Sequence, residues 1–222
     1  MLASEFAAPL QYIAAASEFV ASFELDAPEI VGRQLRTMQL TSSRLLQMTE
    51  LLLLHDGVMA GQLALKFEPI NVAALAQEAY TTRLRLHQLR PTNEYVTVTK
   101  HAWPAQSDRK ALRAALEALS DVLIQTGDMP LSMTSRLVQR GEEVHLEFTD
   151  SGPVIRHKDI MAANKNQQPY KGVGLSSVLS MSIASDLVTS LKGRITIAKT
   201  DSGRRHTVVR LPMTTQLGLL EF

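Results

Sequence analysis

The chain has 222 residues, a formal net charge of +1, 45% hydrophobic residues and no cysteine. That length holds one large domain or two small ones. The near-neutral charge gives no strong pull towards nucleic acid or anionic lipid, and the missing thiols exclude disulfides and thiolate metal sites.

The longest apolar runs, Leu51–Leu54 and Val72–Ala76, are far too short to span a membrane. The N-terminus lacks a basic n-region, so no secretory signal is read and a cytoplasmic domain is expected. The chain begins abruptly with a helix, as a fragment of a longer protein would.

Residues 3–24 place Phe6, Leu10, Ile13 and Val20 at heptad spacing, with Ser17 interrupting the seam beside Ala16. Pro9 is expected to bend this helix. After a connector at Glu24–Pro28, a second helix is predicted from about 28 to 57, with Leu35, Met38, Leu45 and Leu52 repeating the seam. Gly57 and Gly61 loosen or end it. A hairpin alone cannot bury two wide apolar stripes, so a four-helix bundle from two chains is expected. The alternative is an intramolecular bundle packed on the C-terminal part.

Leu63, Leu65 and Phe67 alternate as a short edge strand would, stopped by Glu68-Pro69. A helix follows from Asn71, a good cap, to Gln88, with Val72, Leu75, Ala76 and Tyr80 on one side. Tyr95–Thr99 is strand-like. Asp108–Gln125 reads as a helix, with Leu112, Leu116, Leu119 and Leu123 in phase and Gly127 and Pro130 ending it. Leu131–Gln139 and Glu143–Thr149 form a hairpin about Arg140-Gly141. Ser176–Leu191 is a helix closed by Lys192-Gly193, and Arg194–Lys199 and His206–Leu211 make a last hairpin around Asp201-Ser202-Gly203. The fold class is therefore α+β: a helical hairpin (1–60), then a mixed sheet with helices on one face (61–222).

Several strings resemble the core of sensor histidine kinases, across about residues 2–213. ASEFAAPLQYI (3–13) resembles the phosphoacceptor box, and SSRLLQMTELLLLHDGVMAGQLALKFEPINVAALAQEA (42–79) the second bundle helix and linker. DRKALRAALEALSDVLIQTG (108–127) resembles the N-box helix, FTDSGPVI (148–155) the D-x-G-x-G-I loop, and KGVGL (171–175) with KGRITI (192–197) the lid end and next strand. The resemblance implies a dimerisation hairpin followed by a Bergerat-type, HATPase-like α/β sandwich. It also implies ATP and Mg²⁺ as cofactors, and a homodimer and a response regulator as partners.

The departures bear on activity. Ser4 stands where the phosphoacceptor histidine is expected, with Glu5 and Pro9 matching their neighbours. An imidazole nitrogen can hold a labile phosphoryl group, whereas a serine hydroxyl needs a stronger base and gives a stable ester. Autophosphorylation there is not expected, and Ser4 also reads as a solvent-facing helix residue. Asp121 aligns with the metal-binding asparagine; its carboxylate could take Mg²⁺ but adds charge beside phosphates. Glu117, one turn earlier, aligns with a general base of related ATPases, although both also read as acids on an exposed helix face.

Asp150 matches the aspartate that accepts the adenine amino group, and Gly152 would let the backbone come close, yet an Asp-Ser-Gly-Pro loop is also simply a good turn. Val154 replaces the second glycine. Gly172 and Gly174 could expose N–H groups to phosphates, or loosen a helix start. Arg156, Lys158, Lys165 and Lys171 could meet phosphates or face solvent.

Three functions remain open. The chain is a non-catalytic dimeric signalling protein that docks a regulator near Ser4–Ile13. Or it binds ATP through Asp150, Gly152 and Asp121, as a sensor or as a kinase acting in trans on another chain. Or it is a phosphotransfer protein that does not use ATP, which Ser4 argues against.

Overall fold

The computed structural model describes residues 10–18, 28–87, 97–98, 104–127, 134–155 and 175–213. The chain divides into two compact units, residues 1–53 and 54–222. Among the described residues no helix is long and apolar enough to cross a membrane.

In the first unit, residues 10–18 are helical (α1), and α2 (Pro28–Met59) begins with its proline in the first turn, where a missing N–H costs nothing. Tyr12 donates its hydroxyl to Gln34 Oε1 across the pair, at 3.1 Å. Ala16 is buried, whereas Leu10, Tyr12, Ile30, Leu35, Leu46 and Leu53 are exposed. The α1 seam is thus held by its small residue. Pro9 and the connector at 24–27 lie outside the described residues.

The second unit starts with the last turns of α2. Gly57 accepts from the N–H groups of Gln62 and Leu63, and Gly61 takes a φ of +68° as the chain turns away. The expected strand over 63–67 does not form. Instead Glu68–Ile70, the expected stop, is strand β1, paired antiparallel with β3 (Ala105–Ser107) so that Pro69 faces Gln106. Among the described residues β1 is paired on one side only, and such an edge position tolerates a proline.

Helix α3 (Val72–Leu86) is capped by Asn71, whose side chain accepts from the N–H of Ala74. Helix α4 (Arg109–Thr126) is capped by Asp108, which accepts from the N–H of Ala111 through one oxygen and from that of Lys66 through the other. Leu112, Leu116, Leu119 and Leu123 are all buried, as their spacing predicts. Helix α4 packs against α3 on one side and α5 (Leu175–Ser190) on the other. Helix α5 is also in contact with the sheet, so among residues 176–190 only Thr189 is exposed although half of the helix is Ser, Thr or Asp.

The main sheet has the order β2-β4-β5-β7-β6, with β2 (Thr97–Val98), β4 (Thr134–Arg140), β5 (Glu143–Asp150), β6 (Arg194–Lys199) and β7 (Arg205–Pro212). The β2–β4 pair is parallel and the rest antiparallel. Along the β5–β7 ladder, Val144 faces Leu211, Leu146 faces Val209, Phe148 faces Thr207 and Asp150 faces Arg205, and all eight residues are buried. At the end of α5 the left-handed residue is Lys192 (φ 62°), not Gly193. Gly193 is needed for another reason: a Cβ there would meet the Arg210 backbone carbonyl oxygen.

Candidate functional site

The β5 strand runs into the loop that carries Asp150 and Gly152. Gly152 donates its N–H to Asp150 Oδ1 at 2.6 Å, closing a tight Asx-type turn. The carboxylate does not face open space. Arg205, its cross-strand partner on β7, donates from Nε to Oδ2 at 3.1 Å and places Nη2 2.8 Å from Oδ1, an ion pair with one aligned hydrogen bond. Arg205 is 1% exposed and Asp150 3%.

The same guanidinium donates from Nη1 to Thr126 Oγ1 at 2.6 Å and to the Pro153 carbonyl at 3.2 Å. It thereby stitches β7 to the end of α4 and to the loop. It also lies on Gly152, where a Cβ would come within 2.5 Å of Cζ. Gly152 does permit a close approach, and the group that approaches is Arg205. Val154 is half-buried and Ile155 buried.

Glu117 and Asp121 sit on α4 facing α3. They are not on an exposed helix face: each is largely buried and ion-paired. Arg83 donates from Nη2 to Glu117 Oε2 at 2.7 Å and brings Nη1 to 3.2 Å from Asp121 Oδ2. The remaining oxygens are held by Arg113 Nε on Glu117 Oε1 (2.9 Å) and His87 Nε2 on Asp121 Oδ1 (3.1 Å). Arg113 also reaches Glu78 at 3.1 Å, and these carboxylates hold its guanidinium above the usual arginine range, the hydrogen bond to Glu117 being the largest cause. All four carboxylate oxygens of Glu117 and Asp121 therefore have cationic or imidazole partners. Among the described residues no cluster of three His, Cys, Asp or Glu side chains has the arrangement of a metal site.

Asp150 and Gly152 are brought together, and so are Glu117 and Asp121, but each pair keeps to its own cation. Ser4, Glu5, Gly172 and Gly174, with the basic residues at 156, 158, 165 and 171, lie outside the described residues. The two residues that most change the reading, Arg205 and Arg83, were not singled out from the sequence. For Arg205 the signal was present: Arg205, Thr207, Val209 and Leu211 alternate in phase, so an arginine on the inward face of β7 calls for a buried anion opposite.

The sequence matches no protein-family model and no curated protein. The fold does have close counterparts among solved structures. The Acinetobacter baumannii histidine kinase AdeS aligns over 95% of this chain and 98% of its own, with a TM-score of 0.65 and 18% identity. A full-length ShkA structure in complex with AMPPNP aligns over 99% of this chain and 46% of its own (TM-score 0.61, 15% identity). The mycobacterial sensor histidine kinase MprB aligns over 67% of this chain and 98% of its own (TM-score 0.51, 19% identity). A helical region followed by an α+β layer with this strand order, matched end to end by AdeS, gives the chain the fold of a sensor histidine kinase core.

Proposed function

We propose that this chain is a cytoplasmic, dimeric two-component signalling protein, a pseudokinase that keeps the histidine kinase fold without turning over ATP and acts by docking a response regulator. Residues 1–60 form the dimerisation hairpin and residues 61–222 the ATPase-like domain. The observation that carries this reading is the Asp150–Arg205 pair: the carboxylate expected to accept the adenine amino group is buried and neutralised by the chain's own guanidinium.

The residues present do not fit a magnesium–nucleotide complex. Arg205 lies on Gly152, and Asp121 and Glu117 are committed to Arg83, His87 and Arg113. Releasing these carboxylates would leave buried or half-buried cations unpaired, which is costly. Ser4 in place of histidine supports the same conclusion from the other end of the chain. Dimerisation is supported by the apolar residues that the first unit leaves exposed. Leu35, Leu46 and Leu53 lie eleven and seven residues apart, on one stripe of α2, and Leu46 and Leu53 are 61% and 68% exposed.

A second reading, an ATP-binding kinase acting in trans, draws on the AMPPNP complex of the similarly folded ShkA. It requires Arg205 to leave Asp150. Incubation of the protein with γ-labelled ATP and Mg²⁺, alone and with a kinase-dead histidine kinase of the same fold that keeps its phosphoacceptor histidine, separates the two. The proposed function predicts no label on either chain. Label that appears on a kinase-dead partner would establish the trans kinase. Sedimentation velocity tests the dimer.

A further inference from the structure

The last turns of α2 and helix α5 meet through a histidine that the nucleotide-site geometry does not involve. His55 Nε2 lies 3.1 Å from Asp186 Oδ2 on α5, and His55 Nδ1 lies 3.1 Å from Asp56 Oδ1 on its own helix. The imidazole is 18% exposed. One turn along, Ser190 on α5, whose hydroxyl lies 3.0 Å from the Asp186 carbonyl oxygen, also brings Oγ to 3.7 Å from Met59 Sδ on α2. His55 and Met59 are i,i+4 on one helix and Asp186 and Ser190 are i,i+4 on the other, so two facing ridges meet. Beyond α2, Lys192 Nζ stands 5.3 Å from the Phe67 ring centroid, tying the following segment to the end of α5.

The chemistry of the ring sets a condition on this contact. A neutral imidazole carries one N–H and one lone pair; only the cation donates from both nitrogens. Here both nitrogens face carboxylate oxygens at hydrogen-bond distance. In the neutral ring one of the two carboxylates meets a lone pair instead of a donor. Among the described residues, the charged groups on the ring are Asp56 from α2 and Asp186 from α5.

We propose that His55 is a proton-operated latch. As imidazolium it bridges the two carboxylates and pins the last turn of α2 to α5; as the neutral ring it holds one of them and the turn loosens. The covalent junction of the two units, Leu53–Leu54, lies on α2 immediately before His55. Protonation therefore acts on the segment through which any signal carried by α2 enters the second unit. The latch goes beyond the proposed function and does not depend on whether nucleotide binds.

The test is hydrogen exchange on the full chain at about pH 5.5 and 8, on either side of the ordinary histidine range. Exchange is converted to protection factors so that intrinsic base catalysis is removed. Side-chain ¹⁵N NMR of His55 runs in parallel. The expected result is two protonated ring nitrogens at the lower pH and one at the higher. Protection over residues 55–60 should then fall about tenfold, the loss of one charge-assisted hydrogen bond. His55→Gln abolishes the pH step, and Asp186→Asn, which keeps the imidazole, shrinks it. Equal protection at both pH values in the wild type overturns the latch. So does an unchanged step in His55→Gln or, should that variant not fold, in Asp186→Asn.

Discussion

Asp150 and Arg205 stand directly opposite each other on β5 and β7, and the ion pair between them is buried at the end of α4. A buried pair of this kind does not by itself stabilise a fold much, because both charges were taken out of water to make it. Breaking it is a different matter. Arg205→Met leaves a buried carboxylate whose remaining donor among the described residues is the Gly152 N–H, and it is expected to cost about 3–5 kcal/mol in urea unfolding. The double variant Asp150→Leu/Arg205→Met should recover most of that loss, since apolar replacement of both partners is often close to neutral. Additive losses in the double variant would show that the two side chains do not act as a pair.

Gly152→Ala tests the contact between the loop and the guanidinium. The added methyl would meet Arg205 Cζ and Nη2 at 2.5 Å, and the planar group is fixed by Asp150, Thr126 and Pro153. Overpacking of this kind costs about 1–3 kcal/mol. The same methyl in an Arg205→Ala background should cost much less, and the comparison of the two midpoints checks it.

Arg83 is the second internal cation. It is buried and shared between Glu117 and Asp121. Arg83→Met is expected to destabilise the second unit by about 3 kcal/mol, through two half-buried carboxylates that lose their common partner. Glu117→Gln alone should cost less, because Asp121 keeps both Arg83 and His87. Thermal or urea unfolding ranks the two variants, and the reverse order would contradict the assigned network.

The pH dependence of stability has one cause at the sheet. The hydrogen bond from His145 holds the Glu143 carboxyl below its ordinary value, with help from Arg194 and Arg210 and against a smaller desolvation effect. A depressed carboxyl contributes stability that is fully present above its unfolded-state pKa and is lost as pH falls through the lower folded-state value. The contribution therefore disappears in the acid range below about 4.5, the carboxyl's reference value. Since Glu143 is partly exposed, the effect is small and salt-sensitive. His145→Gln should raise the acid-unfolding midpoint of the protein towards that of Glu143→Gln, and identical acid limbs in wild type and His145→Gln would contradict it.

Much of the architecture could be read from residue spacing. Leucines at 112, 116, 119 and 123 mark one helix face, and Asn71 and Asp108 mark helix starts where their side chains do cap the first turn. These are local signals, carried by neighbours in the chain. The failures come from pairings between distant segments. Pro69 reads as a stop because prolines rarely sit within sheets, and only the one-sided pairing with β3 makes it a strand residue. Glu117 and Asp121 read as surface acids because two of their partners, Arg83 on α3 and His87 at its C-cap, come from a distant segment. The role of Arg205 depends on a partner 55 positions earlier, which it meets through the β5–β7 register.

In the proposed function Arg205 occupies Asp150 in place of a nucleotide. Isothermal titration of MgATP and MgADP into the 222-residue chain, with Asp150→Asn as control, tests this. No binding heat is expected up to millimolar nucleotide in either protein. Micromolar binding in the wild type that is lost in Asp150→Asn would contradict it, because Arg205 would then have to yield the carboxylate to adenine.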